Sequence, residues 1–372
     1  MFYKTSNWLL ILFFFVVPVA AQSSLWGNLK AGQYRVGLNV RSYRDSNNRP
    51  IEIFLWFPAE NSKKSKPLTF ADYYRLSEKV TDESRLTQTL AEDVTGDKNG
   101  IDKQTAGKIL NSAMKASWNA PISRGRFPLI LWSSRHATVI AQSVLSEFLA
   151  SHGYVVAFAR YAGPALPYPF QIREPEKKLE ALDTHVRDLE FALANLRRAA
   201  TLDAEKIALI SWSYGGEAAI RLQTRQPDID LVFGLSSIRF DRGPYQGRLT
   251  LDLQKLNVPY ILFWETIGVN GQAEPIPEIL RDFPRSSYYL SFKELRHGNF
   301  NVLEGFIPGL FRLKKIVSWS KNDGFAQIGY ETVCHATLFY LDYFFKGKKL
   351  NPLTIQQNLP SNFVDIKNFG KK

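Results

Sequence analysis

The chain has 372 residues, 45% of them hydrophobic, enough for one large domain or two modest ones. Its single cysteine, Cys334, excludes an intramolecular disulfide, so stability must come from the core. The formal charge of +12 suits anionic envelopes or lipid headgroups, but the basic residues are dispersed and no nucleic-acid motif accompanies them, so nucleic acid is not the expected partner.

In chain order, Lys4 precedes an apolar stretch from Trp8 to Ala21, and Val19-Ala20-Ala21 offers small residues for cleavage. This pattern predicts a signal peptide over 1–21 and an exported chain, periplasmic or secreted, starting near Gln22. The stretch is short for a bilayer, so no stable span is expected after cleavage. Residues 22–372 then form one domain. Tyr34–Val40 and Ile51–Phe57 alternate with a period of two and read as strands. From Ala59 to Arg126 the chain is polar, lysine-rich and weakly helical. The segment around 60–120 is expected to be an insertion decorating the core, without an interior of its own.

Phe127–Trp132 is continuously apolar, as a central parallel strand should be. A helix is predicted from about Val139 to His152, ended by Gly153, then a strand over Tyr154–Phe158. Tyr161–Pro175, rich in proline and aromatics, cannot be regular and is expected to shape a pocket. Leu179, Leu182, Val186, Leu189, Leu193 and Leu196 recur at helical spacing. Further strands are expected at Ile207–Ser211, Ile229–Leu235, Val258–Trp264 and Tyr288–Leu295, with a closing helix near Tyr330–Lys346. Strands alternating with helices at this spacing predict an α/β fold, a mostly parallel doubly wound sheet with helices on both faces.

The run Ile207-Ala208-Leu209-Ile210 leads into Ser211-Trp212-Ser213-Tyr214-Gly215-Gly216 and a helix through Arg225. A strand, a tight turn of small residues and a helix is the setting of a nucleophile elbow, whose serine is strained and exposed. Ser211 stands where a glycine is usual. A serine hydroxyl needs a base, usually a histidine held by a carboxylate. Of the five histidines only His297 and His335 follow Ser213. His297 lies in the loop after the last parallel strand, where a base can reach the elbow, whereas His335 lies within the closing helix. His152 and His185 read as structural.

These segments resemble the α/β-hydrolase superfamily, and within it the platelet-activating-factor acetylhydrolase and dienelactone-hydrolase-like group. The resemblance is carried by Arg49–Ala59, Phe127–Ile130, Leu149–Val156, Val186–Leu189, the elbow, and His297-Gly298-Asn299-Phe300. It implies an α/β-hydrolase fold and an exported serine hydrolase that cleaves a small-molecule or lipid-like ester through an acyl-enzyme. The implied roles are Ser213 as nucleophile and His297 as base, with backbone amides at Tyr214 and His136 as oxyanion hole. The group's loop after the strand reads Ser-His-Gly; here it is Ser133-Ser134-Arg135-His136-Ala137. Its acetylhydrolases place an aspartate directly after the strand that follows the elbow, where this chain has Ser236. Glu265, one strand later, is therefore the expected acid, with Asp241 in reserve. No cofactor is implied, and no cysteine–histidine spacing suggests a metal. The same machinery would serve an amide or peptide, and the departures at Ser211, Arg135 and Ser236 leave room for a non-catalytic binding protein of the same fold.

Overall fold

A computed structural model describes residues 24–62, 65–134, 139–161, 172, 174–199, 201–237, 255–268, 285, 287–313, 324–349, 351–358 and 364–369. The first part of the chain runs β1 (Arg35–Arg44), β2 (Pro50–Ala59), β3 (Lys66–Thr69), α1 (Phe70–Ser77), α2 (Glu83–Thr95), α3 (Lys103–Leu110) and β4 (Ala113–Trp118). Next come β5 (Phe127–Ser133), α4 (Ser143–Ser151), β6 (Val155–Tyr161), α5 (Pro175–Leu196), β7 (Leu202–Trp212), α6 (Gly215–Arg225) and β8 (Leu231–Leu235). The last part is β9 (Tyr260–Glu265), β10 (Ser287–Phe292), α7 (Ile307–Leu310), α8 (Gly324–Lys346) and β11 (Val364–Phe369).

The strands form one sheet in the order β11-β10-β9-β8-β7-β5-β6-β2-β1-β4-β3. From β6 through β5 and β7 to β10 every neighbouring pair is parallel. The chain passes from β5 to β6 on one side, then crosses back to place β7 on the other. That reversal opens a crevice at the carboxyl ends of β5 and β7, the place where sheets of this kind hold their ligands. The apolar runs are continuous because both faces are covered. Ile207 and Leu209 of β7 enter the layer under α5 and α6, while Ala208 and Ile210 enter the layer shared with α4 and α8.

The insertion does more than decorate the core. Its strands β3 and β4 extend the sheet beyond β1. Phe70, Tyr73, Tyr74, Leu86, Leu90 and Ile109 are fully buried and belong to the same core layer as α4 and α8. Leu86, Leu90 and Val94 line one side of α2 at four-residue spacing, among the polar residues that obscure the pattern. The helices are individually capped: the Asp82 and Asp102 carboxylates accept from Arg85 N–H at 2.8 Å and Thr105 N–H at 2.9 Å.

A fully buried carboxylate on α4 fastens these parts together. Glu147 accepts from Tyr73 O–H at 2.6 Å, Trp26 Nε1–H at 2.9 Å, and the backbone N–H groups of Lys115 at 2.9 Å and Ala116 at 3.1 Å. Burial raises its pKa, and the four donors oppose that shift. The insertion also reaches the edge of the crevice: α1 packs on the 3₁₀ turn Ile140–Gln142 that leads into α4, and α2 packs on a π-helical turn at Val302–Phe306.

Among the described residues no helix is long and apolar enough to cross a membrane. Residues 1–21, read as a signal peptide, lie outside the described residues, as do 162–171 of the aromatic–proline segment.

Candidate active site

Strand register sets the site. Ser133 of β5 is level with Ser211 of β7, and Trp212 is level with Leu235 of β8. The residues that follow, Ser213 and Ser236, therefore emerge side by side at the carboxyl edge of the sheet. Ser213 adopts φ +54°, a left-handed conformation that a non-glycine residue takes at a cost of roughly 1–3 kcal/mol. The strain holds its hydroxyl out of the sheet while the backbone turns directly into α6.

Gly215 is what allows so sharp a turn. A Cβ there would lie 1.7 Å from the Ser133 carbonyl oxygen, so only glycine lets α6 start against β5. Ser133 Oγ–H donates to the Gly215 carbonyl at 2.8 Å and closes the contact. Ser211, in place of the usual glycine, meets no such restriction. Its hydroxyl donates to the Phe233 carbonyl at 2.7 Å and lies 3.1 Å from Ser237 Oγ, so its side chain is absorbed toward β8.

His297 begins a short 3₁₀ turn, His297–Phe300, just beyond β10. The turn is pinned by Arg296 N–H donating to Asn299 Oδ1 at 3.0 Å, and Asn301 Oδ1 caps the next turn by accepting from Glu304 N–H at 2.9 Å. This presents the imidazole to the elbow, with His297 Nε2 3.0 Å from Ser213 Oγ. On its other side Nδ1 is 2.5 Å from Ser236 Oγ. With the Ser213 hydroxyl donating to Nε2, the ring proton sits on Nδ1 and is donated to Ser236.

This last contact bears on the expected third member. Glu265 was expected to orient the imidazole, but the described side chain on Nδ1 is that of Ser236. Glu265 is a buried residue closing β9, in register with Phe292 of β10. Ser236 follows β8 directly and, at φ +46°, turns back beneath the ring, while its N–H stays tied to the Phe263 carbonyl at 2.7 Å. In the sequence Ser236 is the small polar residue at the place where the group it resembles carries an aspartate. Asp241, the reserve acid, and His136, the proposed oxyanion residue, lie outside the described residues. Tyr214 opens α6, which sets its amide at the positive end of the helix next to Ser213.

Trp212, which the sequence reading left unassigned, stacks on His297 with ring centroids 4.9 Å apart and planes 10° apart. His185 is buried on α5; of the other described histidines, His152 Nδ1 is 2.8 Å from the Phe148 carbonyl, and His335 meets the Phe148 ring edge-on at 5.4 Å. Burial lowers the pKa of both. Cys334 is buried beside Tyr330, and burial pushes its thiol well up, which disfavours a thiolate. Among the described residues no group of three or more histidine, cysteine or acidic side chains is arranged to hold a metal.

The chain has the α/β-hydrolase fold: a mostly parallel sheet wound on both faces by helices, with a serine on a strained strand-to-helix turn and a histidine after a later strand. No family model matches the sequence, and no curated protein matches it. Among solved structures the chain is similar to a ferulic acid esterase from Streptomyces cinnamoneus, with a TM-score of 0.65 and 17% identity over 93% of this chain and 99% of that one. The likeness is to the fold as a whole and does not single out the acetylhydrolase and dienelactone-hydrolase-like group.

Proposed function

We propose that this protein is an exported serine hydrolase that cleaves carboxylic esters of small or lipid-like molecules. The observation that carries the reading is the 3.0 Å contact between His297 Nε2 and the hydroxyl of the strained Ser213. Ser213 Oγ attacks the ester carbonyl as its proton passes to Nε2. The tetrahedral oxyanion is received by the Tyr214 amide at the start of α6 and by an amide of the loop after β5, around His136. Collapse expels the alcohol, which takes the proton back from Nε2 and leaves an acyl-serine. Water, deprotonated by the same imidazole, then releases the acid. Ser236 holds Nδ1–H throughout and so fixes the tautomer in which Nε2 is free to act.

The overall likeness to an esterase structure supports ester chemistry over other reactions that this fold hosts. Export rests on the apolar leader from Trp8 to Ala21, and an acetylhydrolase-like preference on the segments quoted for that group. Labelling with a fluorophosphonate probe followed by peptide mapping tests the reading. The expected result is one adduct at Ser213, absent from Ser213→Ala, with turnover of short p-nitrophenyl esters lost in the same variant. Unlabelled native protein, or equal labelling of Ser213→Ala, overturns it. An anilide assayed alongside the ester separates amidase from esterase activity.

A further inference from the structure

Among the described residues the imidazole of His297 meets more than the hydroxyls of Ser213 and Ser236. Trp212 is the last residue of β7 and faces the same core layer as Ala208 and Ile210. At the end of the strand that layer runs out against the turn carrying His297, so the indole lies flat on the imidazole, 4.9 Å between centroids and 10° from coplanar. Its Nε1–H points to the His297 carbonyl at 3.4 Å, which ties the indole to the backbone of the residue whose ring it covers. The indole is 7% exposed, so the stack is shielded from water.

A hydroxyl at Nδ1 gives the ring direction but brings no net charge. The step that needs help is the arrival of the Ser213 proton, which turns imidazole into imidazolium. Only an interaction stronger with the imidazolium lowers that barrier. An indole face is such a partner, because its quadrupole attracts a cation more strongly than it attracts a neutral ring. We propose that Trp212 is a positioning residue for His297: it fixes the plane of the imidazole and stabilises the imidazolium formed when Ser213 attacks. The inference rests on the reading of Ser213 and His297 as a nucleophile–base pair.

The test is the pH profile of kcat/KM for a short p-nitrophenyl ester in Trp212→Leu and Trp212→Phe, with thermal unfolding as a control on the fold. The acid limb of that profile reports protonation of the free base. Removing an attraction for the protonated form lowers its pKa, so in Trp212→Leu the limb moves to lower pH by roughly half to one unit. Its plateau kcat falls about tenfold while KM stays within about twofold. Trp212→Phe, which keeps an aromatic face, recovers most of both. Glu265 closing β9, Glu217 in the first turn of α6, and Arg296 and Glu304 around the histidine turn are the same in every variant, so the comparison isolates the indole. A merely structural role would lower activity without moving the limb. An unmoved limb, or a loss confined to KM, overturns the proposal. If Trp212→Leu does not fold, histidine NMR titration of Trp212→Met against the native protein decides it, a downward shift of His297 supporting the proposal and no shift overturning it. Absence of fluorophosphonate labelling at Ser213 in native protein would instead overturn the underlying reading, so the two failures are distinct.

Discussion

Ser236 and His297 face each other across the carboxyl edge of the sheet, hydroxyl to Nδ1 at 2.5 Å, although they are separated by 61 residues in sequence. A neutral group thus stands behind the base, in the place where a carboxylate would both orient the ring and stabilise its charge. Removing the hydroxyl in Ser236→Ala should lower kcat by roughly tenfold, the loss of one hydrogen bond that selects the tautomer. In Ser236→Asp the new carboxylate favours the imidazolium, so the acid limb of kcat/KM should move to higher pH by roughly one unit. Steady-state kinetics of the two variants beside Glu265→Gln check the assignment, and a larger loss in Glu265→Gln than in Ser236→Ala would reverse it.

The approach of α6 to β5 makes a paired glycine prediction. Gly215→Ala drives a methyl to 1.7 Å from a backbone carbonyl that cannot yield cheaply, so it should destabilise the fold by about 3 kcal/mol or more and abolish labelling of Ser213. Gly107, inside α3, has nothing within 4 Å of an added Cβ, and Gly107→Ala should raise stability by about 0.5–1 kcal/mol with turnover unchanged. Thermal unfolding and ester hydrolysis of both variants separate the two cases.

Asp93 on α2 gives the insertion a dependence on pH. Burial is the main cause that lifts its carboxyl from 3.8 to about 6, with Glu78 and Glu92 adding to it and the Tyr74 hydroxyl, donating at 3.0 Å, opposing it. A folded pKa above the unfolded one means that the folded state binds the proton more tightly. Stability is therefore greatest below the unfolded value and is lost as pH rises from about 4 through about 6. Asp93→Asn keeps an acceptor for Tyr74 without the charge. It should flatten urea-unfolding stability over that window and stabilise the protein near neutral pH by about 2 kcal/mol.

Gln142, at the end of the 3₁₀ turn leading into α4, is fully buried with neither amide atom hydrogen-bonded among the described residues. A buried amide left unpaired costs about 1–3 kcal/mol. Gln142→Met, close to it in shape, should raise the midpoint of urea unfolding by an amount equivalent to about 1 kcal/mol or more, and a fall in the midpoint would contradict this.

The parallel strands and the elbow were legible because each is a local pattern: an apolar run, then small residues, then a helix. Ile207–Ser211 is the end of a longer strand, Leu202–Trp212, and the closing helix near Tyr330–Lys346 begins earlier, at Gly324. The insertion reads as surface because its apolar stripe, Leu86 to Val94, is thin and set among charges, and the surface it meets comes from α3 and from the turn at Val302–Phe306, far along the chain. The contact between Ser236 and the histidine is not legible in the sequence for another reason. Whether a side chain after β8 or after β9 turns under the histidine depends on a left-handed residue at Ser236, and no sequence period encodes that. Trp212 was passed over because a tryptophan beside a serine reads as core until the ring it covers is known.

Glu147 also bears on how such a chain can be recombined. Its four donors come from the amino-terminal segment, α1 and β4, so these pieces form one unit of inheritance with α4. A chimera that exchanges residues 60–120 alone would strand an anion in the interior. Crossover points that carry Trp26, Tyr73, the strand at Lys115 and Glu147 together would not.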